Sequence, residues 1–338
     1  PWIGCSTVVN IGFFVLNSAP TGVNGQNSHL ESFGSHDWFC ELVASTVPCM
    51  KRRATHRHYS LSSSAMEISR RLGAFAVCVA LLSACSGSDS GSSSVKDDGR
   101  LLVVTTVAPI TSIAANVIGD RAQIVGLVPE GTNSHTFEPP PSAAELLSTA
   151  DVVFINGLQL EEPTKALAEA NLRDDVPLVE LGDRTIDPDQ FKYDFSFPES
   201  EGKPNPHLWT DPTLVKVYAQ LIHDTMVGVD PEGAATYNTN LQAFIAVVDE
   251  FDDAVSATFE TIPVNQRKLV TYHDAYAYFA DTYGWNVVGA VQPADFGEPT
   301  ARDVIELIEQ IEAEDVPAVF GSEVFPSPVL EQIANETG

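Results

Sequence analysis

Four histidines follow Cys85, at positions 135, 207, 223 and 273, and three of them share a setting. His135 stands in "GTNSHTFEPPPSAAEL" (residues 131–146), between a Gly-bearing turn and three consecutive prolines. His207 stands in "NPHLWTDP", just ahead of a helix start, and His273 in "VTYHDAYAYF", where a strand gives way to a helix. His223, in "AQLIHDTMVG", falls within a helical pattern and receives no role. Taken singly, each of the three reads equally as a hydrogen-bonded loop histidine. Taken together, they form a set with a chemistry. Imidazole nitrogens suit borderline metals such as zinc, which is usually four-coordinate with nitrogen at ~2.0–2.1 Å. Separations of 72 and 66 residues exclude a zinc finger or an H-E-x-x-H helix, so only the tertiary fold can bring these rings together. Neutral imidazoles bind metal and protonated ones do not. Affinity is therefore expected to fall as pH drops through the histidine range near ~6.5.

The elements that must position them alternate from Arg100 onward. "LLVVTTV" (101–107) reads as a buried strand, "PITSIAANVIG" as a helix stopped by Gly119, and "AQIVGLV" as the strand leading to His135. Ser142 and Glu145 have capping-box spacing for the next helix. "DVVFING" and "VPLVEL" are further strands, which argues for a mostly parallel sheet covered by helices. Asp211–Pro212 opens one helix, and Asp230–Pro231 opens a longer one. In the latter, Tyr237, Leu241, Phe244, Val248, Phe251, Val255 and Phe259 form one apolar stripe to about Ile262, long enough to cross from one domain to the next. The alternation then restarts through "RKLVTY", "WNVVGAV" and "PAVFGSE". The expected fold class is α/β: two β/α lobes, at 100–229 and 263–338, joined by a linking helix at 230–262. The second lobe looks truncated after three strands.

The region before Arg100 reads differently. Residues 1–65 start without Met and show no period, and are expected to be a non-native upstream extension. In "MEISRRLGAFAVCVALLSAC", Arg70 and Arg71 precede an apolar stretch from Leu72 to Ser83, too short for a bilayer span of about 20 residues but laid out like a secretory signal. The ending "LSAC" is similar to a bacterial lipoprotein signal box, which makes residues 66–85 a signal peptide and Cys85 the lipid-bearing residue. The Ser/Gly run within residues 86–99 is a flexible tether. No cysteine follows Cys85, so disulfides and a cysteine-ligated zinc are excluded from the exported body.

Charge narrows the partners. The chain has 46 acidic against 18 basic residues, a formal net charge of −28. Such a field disfavours nucleic acid and attracts cations, although solubility alone also accounts for it.

"HTFEP", "NPHLWTDP" and "HDAYAYFADTYGW", with the long helix between the last two, resemble the zinc/manganese solute-binding lipoproteins of ABC importers. The resemblance runs from about Leu101 to Gly338. It implies two β/α lobes on a rigid helix with a metal ion in the cleft. It also implies His135 and His207 as ligands from the first lobe and His273 from the second. An ABC permease with its ATPase would be the partner, and the protein would be lipid-anchored on the extracytoplasmic or periplasmic face. The family's fourth ligand is typically an Asp in a later segment. Glu323, in "FGSEVF", matches a family carboxylate near the cleft and is the substitute candidate, with a structural role as its alternative. "NSH" stands where "DPH" is usual, and the 183–206 loop has no histidine cluster. The His-rich ligand set favours Zn²⁺, with Mn²⁺ the competitor. A zinc-dependent hydrolase or hydratase is the alternative, since three histidines with an open position also serve catalysis, but no general-base motif stands out. A surface adhesion lipoprotein is the third reading.

Overall fold

The computed structural model describes Val9–Asn10 and residues 98–294, 296–321 and 328–337. Cys85, the signal segment and Glu323 lie outside these residues. Chain order begins with β1 (Val9–Asn10), followed by β2 (Leu101–Thr105), α1 (Ala108–Ile118), β3 (Ala122–Gly126), α2 (Ser142–Thr149), β4 (Val152–Ile155), α3 (Glu162–Asn171) and β5 (Leu178–Glu180). The four strands β3-β2-β4-β5 form one parallel sheet in that order.

Its central strands are apolar at nearly every position because both faces are covered. Alternate residues of a strand point to opposite faces, and they divide here between two cores. Val103, Val152 and Phe154 pack with Ile110, Ile113 and Val117 of α1 and with two long helices, α4 (Pro212–Val229) and α5 (Ala234–Glu260). Leu102, Val104, Val153 and Ile155 pack instead with Leu147 of α2 and Ala168 of α3.

The second half carries β6 (Lys268–Thr271), α6 (Ala277–Tyr283), β7 (Asn286–Ala290), α7 (Ala301–Glu314), β8 (Val319–Gly321) and α8 (Pro328–Thr337). Its sheet is also parallel, in the order β1-β8-β6-β7. Val270, Val288 and Val319 from the strands meet Leu307, Ile311, Leu330 and Ile333 from α7 and α8. Val9–Asn10, from the stretch set aside as extraneous to the fold, pairs with Phe320 and Gly321 at the edge of this sheet.

Helix α5 connects the two halves, and its stripe changes partners on the way. Tyr237, Leu241, Phe244 and Val248 are buried in the first core. Phe251 then faces solvent at 43 % exposure. Phe259 meets Phe279, Tyr283 and Trp285 edge-on at centroid distances of 5.7, 5.4 and 5.0 Å. Among the described residues, no helix is long and apolar enough to cross a membrane.

Two helix starts differ from expectation. Helix α2 begins at Ser142 itself, with no side-chain cap, because the backbone carbonyls of Pro140 and Pro141 take the N–H groups of Ala143 and Ala144. Ser142 is therefore inside the first turn, one place too late to cap it. Asp230 does not cap either. Its carboxylate receives Arg121 and the Tyr237 hydroxyl (2.6 Å), and Pro231–Gly233 forms a 3-10 turn before α5 starts at Ala234.

Candidate metal centre

His135, His207 and His273 converge. The three Nε2 atoms lie 3.1 Å from one another on every edge. Each ring reaches the triangle from a different kind of support. His135 follows the end of β3, on a turn in which Gly131 takes a φ of +76° and the Asn133 side chain accepts the His135 N–H at 3.0 Å. His273 follows the end of β6, where the Thr271 hydroxyl and the Ala275 N–H both donate to its carbonyl. Both sit beyond the carboxyl ends of parallel strands, the usual place for a ligand in such sheets. His207 is almost fully buried ahead of α4. Asp211 caps that helix through the Thr213 N–H, and its other oxygen accepts the Thr282 hydroxyl of α6, tying the His207 segment to the second half of the molecule.

The hydrogen bonds behind the rings fix which nitrogen faces inward. Asn205 donates its amide N–H₂ to Asp194 (2.8 Å) and to the Asp274 carbonyl (3.2 Å), so its Oδ1 is the atom 2.7 Å from His207 Nδ1. Gln292 likewise donates to the Phe296 carbonyl at 2.8 Å, and its Oε1 lies 2.8 Å from His273 Nδ1. An amide oxygen only accepts, so in both neutral rings the proton is on Nδ1 and the Nε2 lone pair points into the triangle. Of the three rings, His135 alone can place a proton there, and that single N–H would have to be shared between two convergent lone pairs. A cation removes that conflict.

The spacing also fits an ion. Nitrogens 3.1 Å apart would all reach one ion at the ~2.0–2.1 Å typical of histidine ligation, so these three residues would hold a metal between them. Outer partners of this kind orient ligands and raise their basicity, and losing one typically costs 10–100-fold in affinity. Gln292→Ala is therefore expected to weaken zinc binding by ~10–100-fold, checked by competitive titration against a chelating dye.

Burial sets the electrostatics. It holds the imidazolium form of His135 down to a pKa of about 2 and that of His273 to about 4, and depresses His207 well below the ordinary value. The neighbouring rings add to the shift at His135 and His207. Proton competition, expected near pH 6.5 for exposed rings, is thus displaced to more acid conditions. Behind His273, burial first and then the Asp194 carboxylate raise Asp274 to about 8. A second buried carboxyl braces the His207 segment. Glu161, raised to about 7 chiefly by burial, accepts from the Thr106 hydroxyl and the Asn156 N–H, and Asn156 donates to the Pro206 carbonyl.

Sequence reasoning found the three ligand candidates but not their supports. Asn205 had a readable signal, an Asx side chain two residues before the backbone N–H it accepts. Gln292 and Phe296 had none, since the loop after β7 carries no motif. The acidic loop before His207 is part of the cleft, because Phe197 stands 5.7 Å from the His135 ring. His223 pairs with Asp224 at a helix surface, away from the triangle.

Two parallel α/β sheets joined by one helix, with a buried polar cluster where the halves meet, make the frame of a two-lobed solute-binding protein. The chain belongs to the family of the zinc-uptake complex component A, periplasmic, whose model matches residues 103–338. Among its relatives, the manganese-binding lipoprotein MntA of Halalkalibacterium halodurans is 32% identical, over 77% of this chain and 83% of that one. The iron ABC transporter substrate-binding lipoprotein MtsA of Streptococcus pyogenes is 29% identical, over 79% of this chain and 85% of that one. Among solved structures, the periplasmic zinc binding protein TroA from Treponema pallidum superposes with a TM-score of 0.63 at 27% identity, covering 71% of this chain and 84% of that one.

Proposed function

We propose that the chain is the extracytoplasmic metal-capturing lipoprotein of an ABC importer. It holds one divalent transition-metal ion on His135, His207 and His273 and delivers it to a permease and its ATPase. The observation that carries this reading is the pair of convergent Nε2 lone pairs, each fixed by an amide oxygen behind its ring. A fold that spends buried amides on keeping protons out of a site is built for a Lewis acid. We assign Cys85 as the lipid attachment point, with residues 66–85 as its signal peptide and 86–99 as the tether. Residues 100–229 and 263–338 are assigned as the two lobes, and 230–262 as the linking helix. Glu323 is proposed as the fourth ligand.

Zinc is the proposed cargo, with manganese the second choice. The three nitrogens favour the more imidazole-loving ion, and the Irving–Williams order puts zinc well above manganese at any nitrogen site. The relatives are named for manganese, iron and zinc, so similarity alone does not choose. Competitive titration of the metal-free protein with Zn²⁺ and Mn²⁺ tests the choice. Zinc is expected to bind at least ~100-fold tighter, and equal affinities would overturn the zinc assignment.

A further inference from the structure

Two of the three rings are oriented by amides, and the third is not. Among the described residues, nothing hydrogen-bonds His135 Nδ1. Its ring instead lies flat against Phe296, with centroids 4.0 Å apart and planes 8° from parallel. Phe296 comes from the opposite half of the molecule, in the loop after β7, and both of its backbone polar groups are tied. Its N–H donates to the Pro293 carbonyl at 2.9 Å, and its carbonyl accepts from Gln292 at 2.8 Å. Gln292 is also the residue that orients His273. Phe296 adopts a φ of +60°, a left-handed conformation that a bulky side chain takes only when its surroundings impose it. The His135 edge, Phe197 and Phe296 line a cavity of about 220 Å³ that also reaches Lys203 and Glu201.

We propose that Phe296 is a positioning residue that latches the cleft: it fixes the ring plane of His135 from across the cleft and covers the path by which the ion leaves. The argument rests on the reading of the triangle as an ion site. One side chain, Gln292, touches both the ring of His273 and the backbone of the residue stacked on His135. A ligand from each half is therefore held by one short segment, and separating the halves breaks the stack and frees His135 together. The stack adds to the ties that Asp211 with Thr282 and Asn205 with the Asp274 carbonyl already make between the halves.

The test uses the full chain with zinc as the probe. Zinc release into excess chelator is timed for the parent, Phe296→Leu and Phe296→Tyr, and the His135 ring protons are followed by NMR in the metal-free proteins. Those signals are identified by their loss in His135→Gln. In the parent they are expected upfield, under the ring current of the stacked phenyl. Phe296→Leu, similar in bulk but not aromatic, should speed release by roughly 3- to 10-fold and move those signals downfield, and Phe296→Tyr should restore both. Parent His135 signals at ordinary positions overturn the latch whatever the variants do. So does release from Phe296→Leu at the parent rate. A parent that binds no zinc overturns the metal reading and the latch with it, so the two failures are told apart.

Discussion

Replacing His135 with alanine lowers zinc affinity by at least ~100-fold and leaves the metal-free fold intact. The ring supplies one of three nitrogens at a 3.1 Å spacing, and no other described nitrogen or carboxylate joins the group that could take its place. Losing even an outer partner of a ligand costs 10–100-fold, so losing the ligand exceeds that range. The fold is spared because His135 lies on a loop, and the tie on its backbone N–H is to the Asn133 side chain. His207→Ala is a poorer probe, since that side chain is buried beside Asn205 and its removal also unsettles the entry to α4. A hundredfold weaker site loses about 2.7 kcal/mol of zinc-induced stabilisation at fixed zinc. For a body of this size, that removes roughly 5–10 °C from the zinc-induced rise in melting temperature. Isothermal titration paired with melts at two zinc concentrations reads both quantities. An unchanged zinc shift in His135→Ala would show that the ion sits elsewhere.

How much of this was legible in the sequence follows from the range of the forces involved. The strands of the first sheet read correctly because burial on both faces leaves an apolar run, and Val152–Ile155 shows no polar residue at all. The long helix read correctly in extent from its stripe, but not in what the stripe touches. Phe251 and Phe259 continue the period beyond Val248, where the stripe leaves the first core, and periodicity does not distinguish one partner from another. Local capping misled where a stronger partner was distant in sequence. Asp230 shares its carboxylate between Tyr237 of its own helix and Arg121, 109 residues away, a partner that no local pattern announces. The three histidines were legible because each interrupts a strong local pattern at a strand end or helix start. Asn205 and Gln292 were not legible as a pair, since their common role exists only once the fold brings both behind the same triangle.

Zinc affinity is expected to change by less than ~2-fold between pH 7 and pH 5, and to fall only as the pH approaches 4. Three solvent-exposed histidines with ordinary pKa values would lose roughly 10⁴-fold over the same interval, because each is about 97% protonated at pH 5. Here burial opposes protonation first. His273 takes up its proton near pH 4, His135 lower still, and His207 well below the ordinary value. The same shifts act on the metal-free fold with a definite sign. Between pH 6.5 and about 4 the unfolded chain binds protons at these rings that the native protein refuses, so they erode stability as pH falls through that window. Glu161 and Asp274 act oppositely. With folded pKa values raised to about 7 and about 8, they hold protons that the unfolded chain has released, and their contribution is lost as pH rises through those values. Because the native rings stay neutral with or without zinc over this range, the proton uptake belongs to the unfolded chain that both forms share, and the gap between zinc-loaded and metal-free melting temperatures should stay nearly constant from pH 7 to pH 5. Zinc titrations and melts at each unit of pH from 7 to 4 measure both trends. A 10⁴-fold loss by pH 5 would mean that the rings stand in water before the ion arrives, and that the closed triangle is a consequence of binding rather than its template.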